Sequence, residues 1–267
     1  MCELIGISSR ERLHVNPFLK VFFNHSFHHR HGWGLAIFYG NAVSMEKEPV
    51  MANESHYLKT RLQHPIYANN LIGHIRLASI GRMNYENCHP FVKHDERGGV
   101  WTLAHNGTIF SPTIQSDEIS RSLDDYKSVQ EGQTDSERIL FFLVDEVNRQ
   151  QQLLGRAMSD EERFRFIDSR VTQLSVGNKL NLLFWDGENM YVHTNYANSL
   201  YLRSEHQTQS TIISTQPLDD SPWMPVPFLQ LQVYREGKLI WQGSGQSQEY
   251  IDPEKNWEYK NLDFAQL

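Results

Sequence analysis

Apolar residues fall in short runs through the first half of the chain, recur at helical spacing in two stretches, and then return to short runs. The runs 2–7, 33–39, 71–78 and 100–104 predict strands separated by glycine-bearing turns. Thr134 and Glu137 have the Thr-x-x-Glu spacing of a capping box, and Ile139, Leu140, Leu143 and Val147 follow on one helical face. Ser159 and Glu162 repeat that signature ahead of Phe164, Ile167, Val171 and Leu174. Beyond them, 180–185 and 190–193 flank Asp186-Gly187 as a hairpin. The runs 200–202, 211–214, 229–234 and 239–241 complete the strands, the last two joined across Glu236-Gly237. Many strands around two central helices predict an α+β layered domain. No repeat or linker divides the chain, so one domain is expected over 1–267, with the polar stretch 244–267 as a surface tail.

Composition narrows the function more than the fold. The 267 residues carry a formal net charge of −7 and no basic stripe, which argues against a nucleic-acid partner. The opening Met1-Cys2-Glu3-Leu4-Ile5-Gly6 lacks the basic and apolar regions of a secretory signal, and no window reaches the apolar length of a membrane span. A cytoplasmic location is expected, with Cys2 and Cys88 as reduced thiols. The placement of Cys2 is unusual: removal of Met1 would make it the N-terminal residue.

Cys2, the run Gly73-His74-Ile75-Arg76-Leu77-Ala78-Ser79, the run His105-Asn106-Gly107 and the run Thr134-Asp135-Ser136-Glu137 could carry chemistry. Taken singly, each has a plain structural explanation. Arg76 could be a surface cation, Asn106-Gly107 reads first as a tight turn, and Asp135 suits a helix N-terminus. Together they form a coherent set. An N-terminal cysteine offers a thiol and an α-amine whose unperturbed pKa values lie at about 8.5 and about 8, so nucleophile and base can come from one residue. The Asn106 amide and the Gly107 N–H could stabilise an oxyanion, glycine allowing close approach of the backbone. Arg76 and Asp135 supply the cation and anion that a zwitterionic amino-acid head group requires.

These blocks, with Gly32-Trp33-Gly34 and Glu86-Asn87-Cys88-His89-Pro90-Phe91, resemble the class II glutamine amidotransferases, and in particular their stand-alone bacterial members. The matched blocks occupy roughly the first half of the chain, and Ser214-Thr215-Gln216-Pro217-Leu218 is similar to a later family motif. The resemblance implies an N-terminal-nucleophile hydrolase fold, a four-layer αββα sandwich of two antiparallel sheets between helical layers. It implies Cys2 as nucleophile, Asn106 and Gly107 as the oxyanion hole, Arg76 on the substrate α-carboxylate, Asp135 on its ammonium, and His89 nearby. Ser79 stands where many relatives have threonine and keeps the hydroxyl; Ile80 follows where a polar residue is common. His31 replaces an Asp before Gly-Trp-Gly.

Two local alternatives compete. His25, His28, His29 and His31 are dense enough to suggest zinc or nickel, but no cysteine or carboxylate cluster accompanies them and Arg30 opposes a cation, so a polar loop beside the active site is expected and no metal. Cys88 beside His89 could be a second nucleophile–base pair, but adjacent residues on an extended segment face opposite ways. The expected activity is cleavage of the γ-carboxamide of L-glutamine, or of a γ-glutamyl amide, through a Cys2 thioester, with no cofactor. The ammonia would pass to a separate synthase subunit. The alternatives are hydrolysis of a larger γ-glutamyl metabolite or a catalytically inactive regulatory module.

Overall fold

The computed structural model describes residues 2–78, 81–115 and 120–252. In chain order the strands are β1 (Glu3–His14), β2 (Trp33–Tyr39), β3 (Ala42–Glu48), β4 (Tyr67–Ile75), β5 (Phe91–His94) and β6 (Val100–Thr108). They continue as β7 (Thr113–Gln115), β8 (Ser120–Ser122), β9 (Lys179–Trp185), β10 (Met190–Thr194) and β11 (Tyr201–Glu205). The last are β12 (Ser210–Ser214), β13 (Met224–Pro225), β14 (Gln232–Arg235) and β15 (Lys238–Gln242). The α-helices are α1 (Asn16–Asn24), α2 (His56–Arg61), α3 (Asp135–Leu154) and α4 (Asp160–Ser175).

Two antiparallel sheets dominate. One has the order β13-β11-β12-β1-β4-β2-β3 and the other β15-β14-β10-β9-β6-β5. The alternation along β1 shows how they stack. Ile5 and Ile7 join Leu19, Phe22 and Phe23 of α1 in an outer core, whereas Leu4 joins Ala104, Leu183, Met190 and Val192 in the core between the sheets. On the far side, Ile139, Leu140, Leu143 and Val147 of α3 and Ile167, Val171 and Leu174 of α4 cover the second sheet. The result is the expected four-layer αββα sandwich.

Both long helices start where the sequence signals place them. Thr134 accepts the Glu137 N–H (3.3 Å), and Gly155 ends α3 in the left-handed region at φ +66°. Ser159 and Glu162 form the reciprocal capping box of α4. At α3 the box is not reciprocal: the Glu137 carboxylate turns away to accept the N–H groups of Glu131 (2.8 Å) and Gly132 (2.9 Å), fixing the loop before the helix. The hairpin across Asp186-Gly187 and strand β2 also match expectation, while β4 ends at Ile75, one residue before Arg76. Helices α1 and α2 and strands β3 and β5 had no clear sequence signal; α1 has Pro17 in its first turn and buries Leu19, Phe22 and Phe23. In the stretch expected as a tail, residues 244–252 are bonded to the fold, with Asn195 Nδ2 on Gln248 O (2.8 Å) and Ser247 Oγ on His193 Nε2 (2.9 Å). Residues 253–267 lie outside the described residues.

Candidate active site

Cys2 immediately precedes β1 and is half-buried. The start of β1 is pinned from β12: Leu4 N–H donates to Thr215 Oγ1 (2.8 Å) and Thr215 N–H to Leu4 O (3.0 Å). Gln216 Nε2 donates to Glu3 Oε1 (2.8 Å), and His25 Nδ1 holds Glu3 Oε2 at 2.8 Å. The Ser214–Leu218 motif and the histidine-rich segment therefore anchor the strand that follows Cys2. His31 closes the same side, its Nδ1 accepting the Ala78 N–H at 2.7 Å. Among the described residues no three His, Cys, Asp or Glu side chains assemble as a metal site.

The Cys2 Sγ sits 3.3 Å from the Leu77 N–H and 3.4 Å from the Leu77 carbonyl. Burial pushes its thiol above the ordinary value of 9.0; the Leu77 N–H and the Arg76 charge oppose that rise, and the Asp135 charge adds to it. At neutral pH the thiol is therefore protonated. Arg76 follows Ile75, which pairs with Glu3 at the start of β1, so Cys2 and Arg76 adjoin the same end of the sheet. The guanidinium of Arg76 is buried and donates from Nη1 to Arg82 O (3.1 Å) and His31 O (3.4 Å), and from Nη2 to Gly81 O (3.4 Å). A carboxylate ligand would compete with these carbonyls by adding an opposite charge and a bidentate fork. Ser79 lies outside the described residues.

Asp135 opens α3, accepting the Ile109 N–H at 2.8 Å on Oδ2. That bond ties the helix to the end of β6, which carries Asn106 and Gly107. These two are not in a turn, as their sequence suggested: they lie within β6, paired to Asn181 and Leu180 of β9. Asn106 is buried, and its Nδ2 has no hydrogen-bond partner. At Gly107 a Cβ would lie 1.9 Å from the Lys179 carbonyl, so any side chain there would push β6 off β9. His105 Nε2 donates to the same Lys179 oxygen (2.9 Å), leaving Nδ1 as acceptor beside the Ser136 hydroxyl at 3.0 Å.

His89 is buried and stacked on His74, with ring centroids 4.1 Å apart. Neither ring has a hydrogen-bond partner; the His105 backbone approaches His74 without good hydrogen-bond geometry. Burial holds His74 down to about 3 and His89 well below 6.5, so both are neutral. The His89 carbonyl crosses β2 at Gly34, where a Cβ would lie 2.0 Å from it. His89 is thus a wall of the inter-sheet layer rather than an exposed binding group. Cys88 is buried with its thiol pushed up to about 11 by desolvation, and its Sγ donates to Asn84 O at 3.4 Å. Asn87, which sequence reading left without a role, accepts the Gln133 N–H (2.6 Å) and donates to Arg82 O (3.0 Å), joining the loop over Arg76 to the loop before α3.

The αββα sandwich thus carries a half-buried cysteine at the start of a central strand, a buried arginine just past the strand paired with it, and a carboxylate at the start of α3. The chain belongs to the class II glutamine amidotransferases, a glutamine-using family whose model matches residues 1–206. An uncharacterised protein of Methanocaldococcus jannaschii is 28% identical over 90% of this chain and 71% of its own length. The Escherichia coli protein named "Putative glutamine amidotransferase YafJ" is 27% identical over 70% of this chain and 70% of its own. In fold, the chain is similar to the crystal structure of a "predicted glutamine amidotransferase" from Pseudomonas aeruginosa, with a TM-score of 0.62 at 20% identity, covering 90% of this chain and 99% of that one. Among the described residues no helix is long and apolar enough to cross a membrane.

Proposed function

We propose that this chain hydrolyses the γ-carboxamide of L-glutamine, or of a related γ-glutamyl amide, through a thioester on Cys2. The observation that supports the reading is the Cys2 thiol, which accepts the Leu77 N–H beside Arg76 where the start of β1 pairs with the end of β4. The Cys2 α-amine, freed by removal of Met1, takes the thiol proton as sulfur attacks the amide carbon. Asn106 Nδ2 and the Gly107 N–H stabilise the oxyanion. The amine then returns the proton to the leaving nitrogen, the C–N bond breaks, and ammonia or an amine departs. Water attacks the thioester, the amine again acting as base, and glutamate leaves as the thiol is restored. Arg76 binds the α-carboxylate and Asp135 the ammonium, Ser79 contacts the substrate, and His89, stacked on His74, backs the site from the inter-sheet layer. A separate synthase subunit receives the ammonia.

Glutamate release from glutamine and a panel of γ-glutamyl amides tests the reaction and identifies the leaving group; no release from any of them would overturn it. Intact mass of the active preparation should lack Met1, and full turnover by chains retaining it would exclude the α-amine as base. Arg76→Ala and Asp135→Ala should each raise KM sharply, because losing one member of a desolvated charge pair costs about 2–5 kcal/mol. Unchanged KM in both variants would refute head-group recognition by these residues.

A further inference from the structure

Asn181 of β9 lies directly opposite Asn106 of β6 in the antiparallel register, and both side chains are buried. The Nδ2 groups of both residues lack partners. Leaving a buried N–H unsatisfied costs about 1–3 kcal/mol, and such orphans are rare in native proteins. Two of them on neighbouring strands call for a reason. The other end of the Asn181 amide is well held: its Oδ1 accepts from Thr194 Oγ1 (2.8 Å) and lies 3.2 Å from Ser199 Oγ. Both hydroxyls also contact Tyr196 O, at 3.0 and 2.5 Å. Thr194 is the β10 partner of Asn181, and β10 and β6 flank β9 on opposite sides. With its oxygen turned toward β10, the amide turns its NH2 toward β6 and Asn106.

Two contacts across the sheets place this pair at the nucleophile's end. Trp185 of β9 stacks on Phe38 of β2, and Gly6 of β1 faces Leu183. Phe38 pairs with Asn70, which pairs with Ser8, so the Trp185 end of β9 overlies the Ser8 side of β1. The inward-facing series Trp185, Leu183, Asn181 therefore runs toward Cys2.

We propose that Asn181 is a positioning residue for the oxyanion site: its NH2 engages the Asn106 carbonyl oxygen when substrate is bound, so that the Asn106 NH2 faces the oxyanion. This rests on the assignment of Cys2 and Asn106 given above. Without Asn181 the Asn106 amide is free to rotate and present oxygen to the developing negative charge. The Thr194 hydroxyl orients Asn181 in turn.

The test uses Asn181→Leu, which removes the amide at similar volume, and Thr194→Val, which removes only the hydroxyl clamp. Both are made in the full chain and again with Asn106→Ala. Asn181→Leu should lower kcat for the glutamyl amide by about 10–100-fold, less than the roughly 10²–10³ expected for losing the donor itself. Thr194→Val should move kcat the same way by a smaller factor. KM should not change, nor should the rate of Cys2 alkylation by iodoacetamide, which forms no oxyanion. Added to Asn106→Ala, Asn181→Leu should cause no further loss, since coupled residues are non-additive. Unchanged kcat in Asn181→Leu, or a loss that multiplies in full onto Asn106→Ala, overturns the proposal. If Asn181→Leu does not fold, Thr194→Val decides alone: a lowered kcat that vanishes in the Asn106→Ala background supports it, and an unchanged kcat overturns it. An inactive Cys2→Ala and a slow Asn106→Ala beside an unaffected Asn181→Leu would overturn this inference alone, whereas an active Cys2→Ala would overturn the underlying mechanism.

Discussion

Cys2→Ala is expected to bring hydrolysis to background while leaving bound substrate intact, and Asn106→Ala to keep a reactive thiol but lose turnover by roughly 10²–10³, about 2.7–4 kcal/mol of transition-state stabilisation. Cys2→Ser retains a nucleophilic atom, yet the much higher pKa of an alcohol should leave little activity. The difference between the first two variants is informative because the sulfur and the amide act at separate points of one step. Asn106→Ala should still be labelled, more slowly, by a γ-glutamyl electrophile of the oxo-norleucine type; Cys2→Ala should not be labelled at Cys2's position at all. The buried Cys88 thiol, pushed up to about 11, is a poor candidate to substitute for Cys2. Kinetics with glutamine and with the electrophile check the arrangement. Near-wild-type turnover in Cys2→Ala together with loss in Cys88→Ala would transfer the nucleophile to Cys88 and undo the mechanism.

Acid should unfold this protein well before its carboxylates titrate. His74, His89 and His193 are buried and held neutral by desolvation, His74 down to about 3 and His193 to about 4 from an ordinary value of 6.5. In the unfolded chain these rings bind protons near 6.5, so below that pH the unfolded state holds more protons than the folded one and stability falls as pH falls. Each ring contributes a loss of about 1.36 kcal/mol per pH unit until its folded pKa is reached, or roughly 2 kcal/mol between pH 6.5 and 5. His74 and His193 together amount to about 4 kcal/mol, with His89 acting in the same direction, against a whole stability of about 5–15 kcal/mol for a typical domain. His25 has the opposite sign: Glu3 holds its pKa up, so its contribution is fully present below 6.5 and is lost only as pH rises through the folded value. It does not offset the acid loss. Urea unfolding at pH 7, 6 and 5 measures the slope, and equal stability at pH 7 and 5 would contradict the neutral, buried state of these imidazoles.

The sequence alone carries a strand at the start of β1, the extent of β2, the capped starts of α3 and α4 and the Asp186-Gly187 hairpin. Those signals are local: a period of two or of 3.6, a capping hydroxyl, a glycine that a turn needs. It also determined which residue types were available for the chemistry, because Cys2, Arg76, Asn106-Gly107 and Asp135 stand in an order that resembles a known family. Their places in the fold were beyond it. Arg76 and Asp135 are 59 positions apart; Arg76 adjoins the start of β1 because β1 pairs with β4, and Asp135 is tied to the end of β6 through the Ile109 N–H. Asn106-Gly107, a turn dipeptide by local preference, is held in a strand because β9 supplies the partners and the Lys179 carbonyl occupies the space a side chain would need. Glu137 leaves its capping box because two loop N–H groups offer it more bonds than one helix N-terminus does. The stacked His74–His89 pair and the opposed amides of Asn106 and Asn181 exist only between two sheets. Cross-sheet neighbours come from distant parts of the chain, so burial, charge and hydrogen-bond supply at these positions are decided by tertiary packing alone.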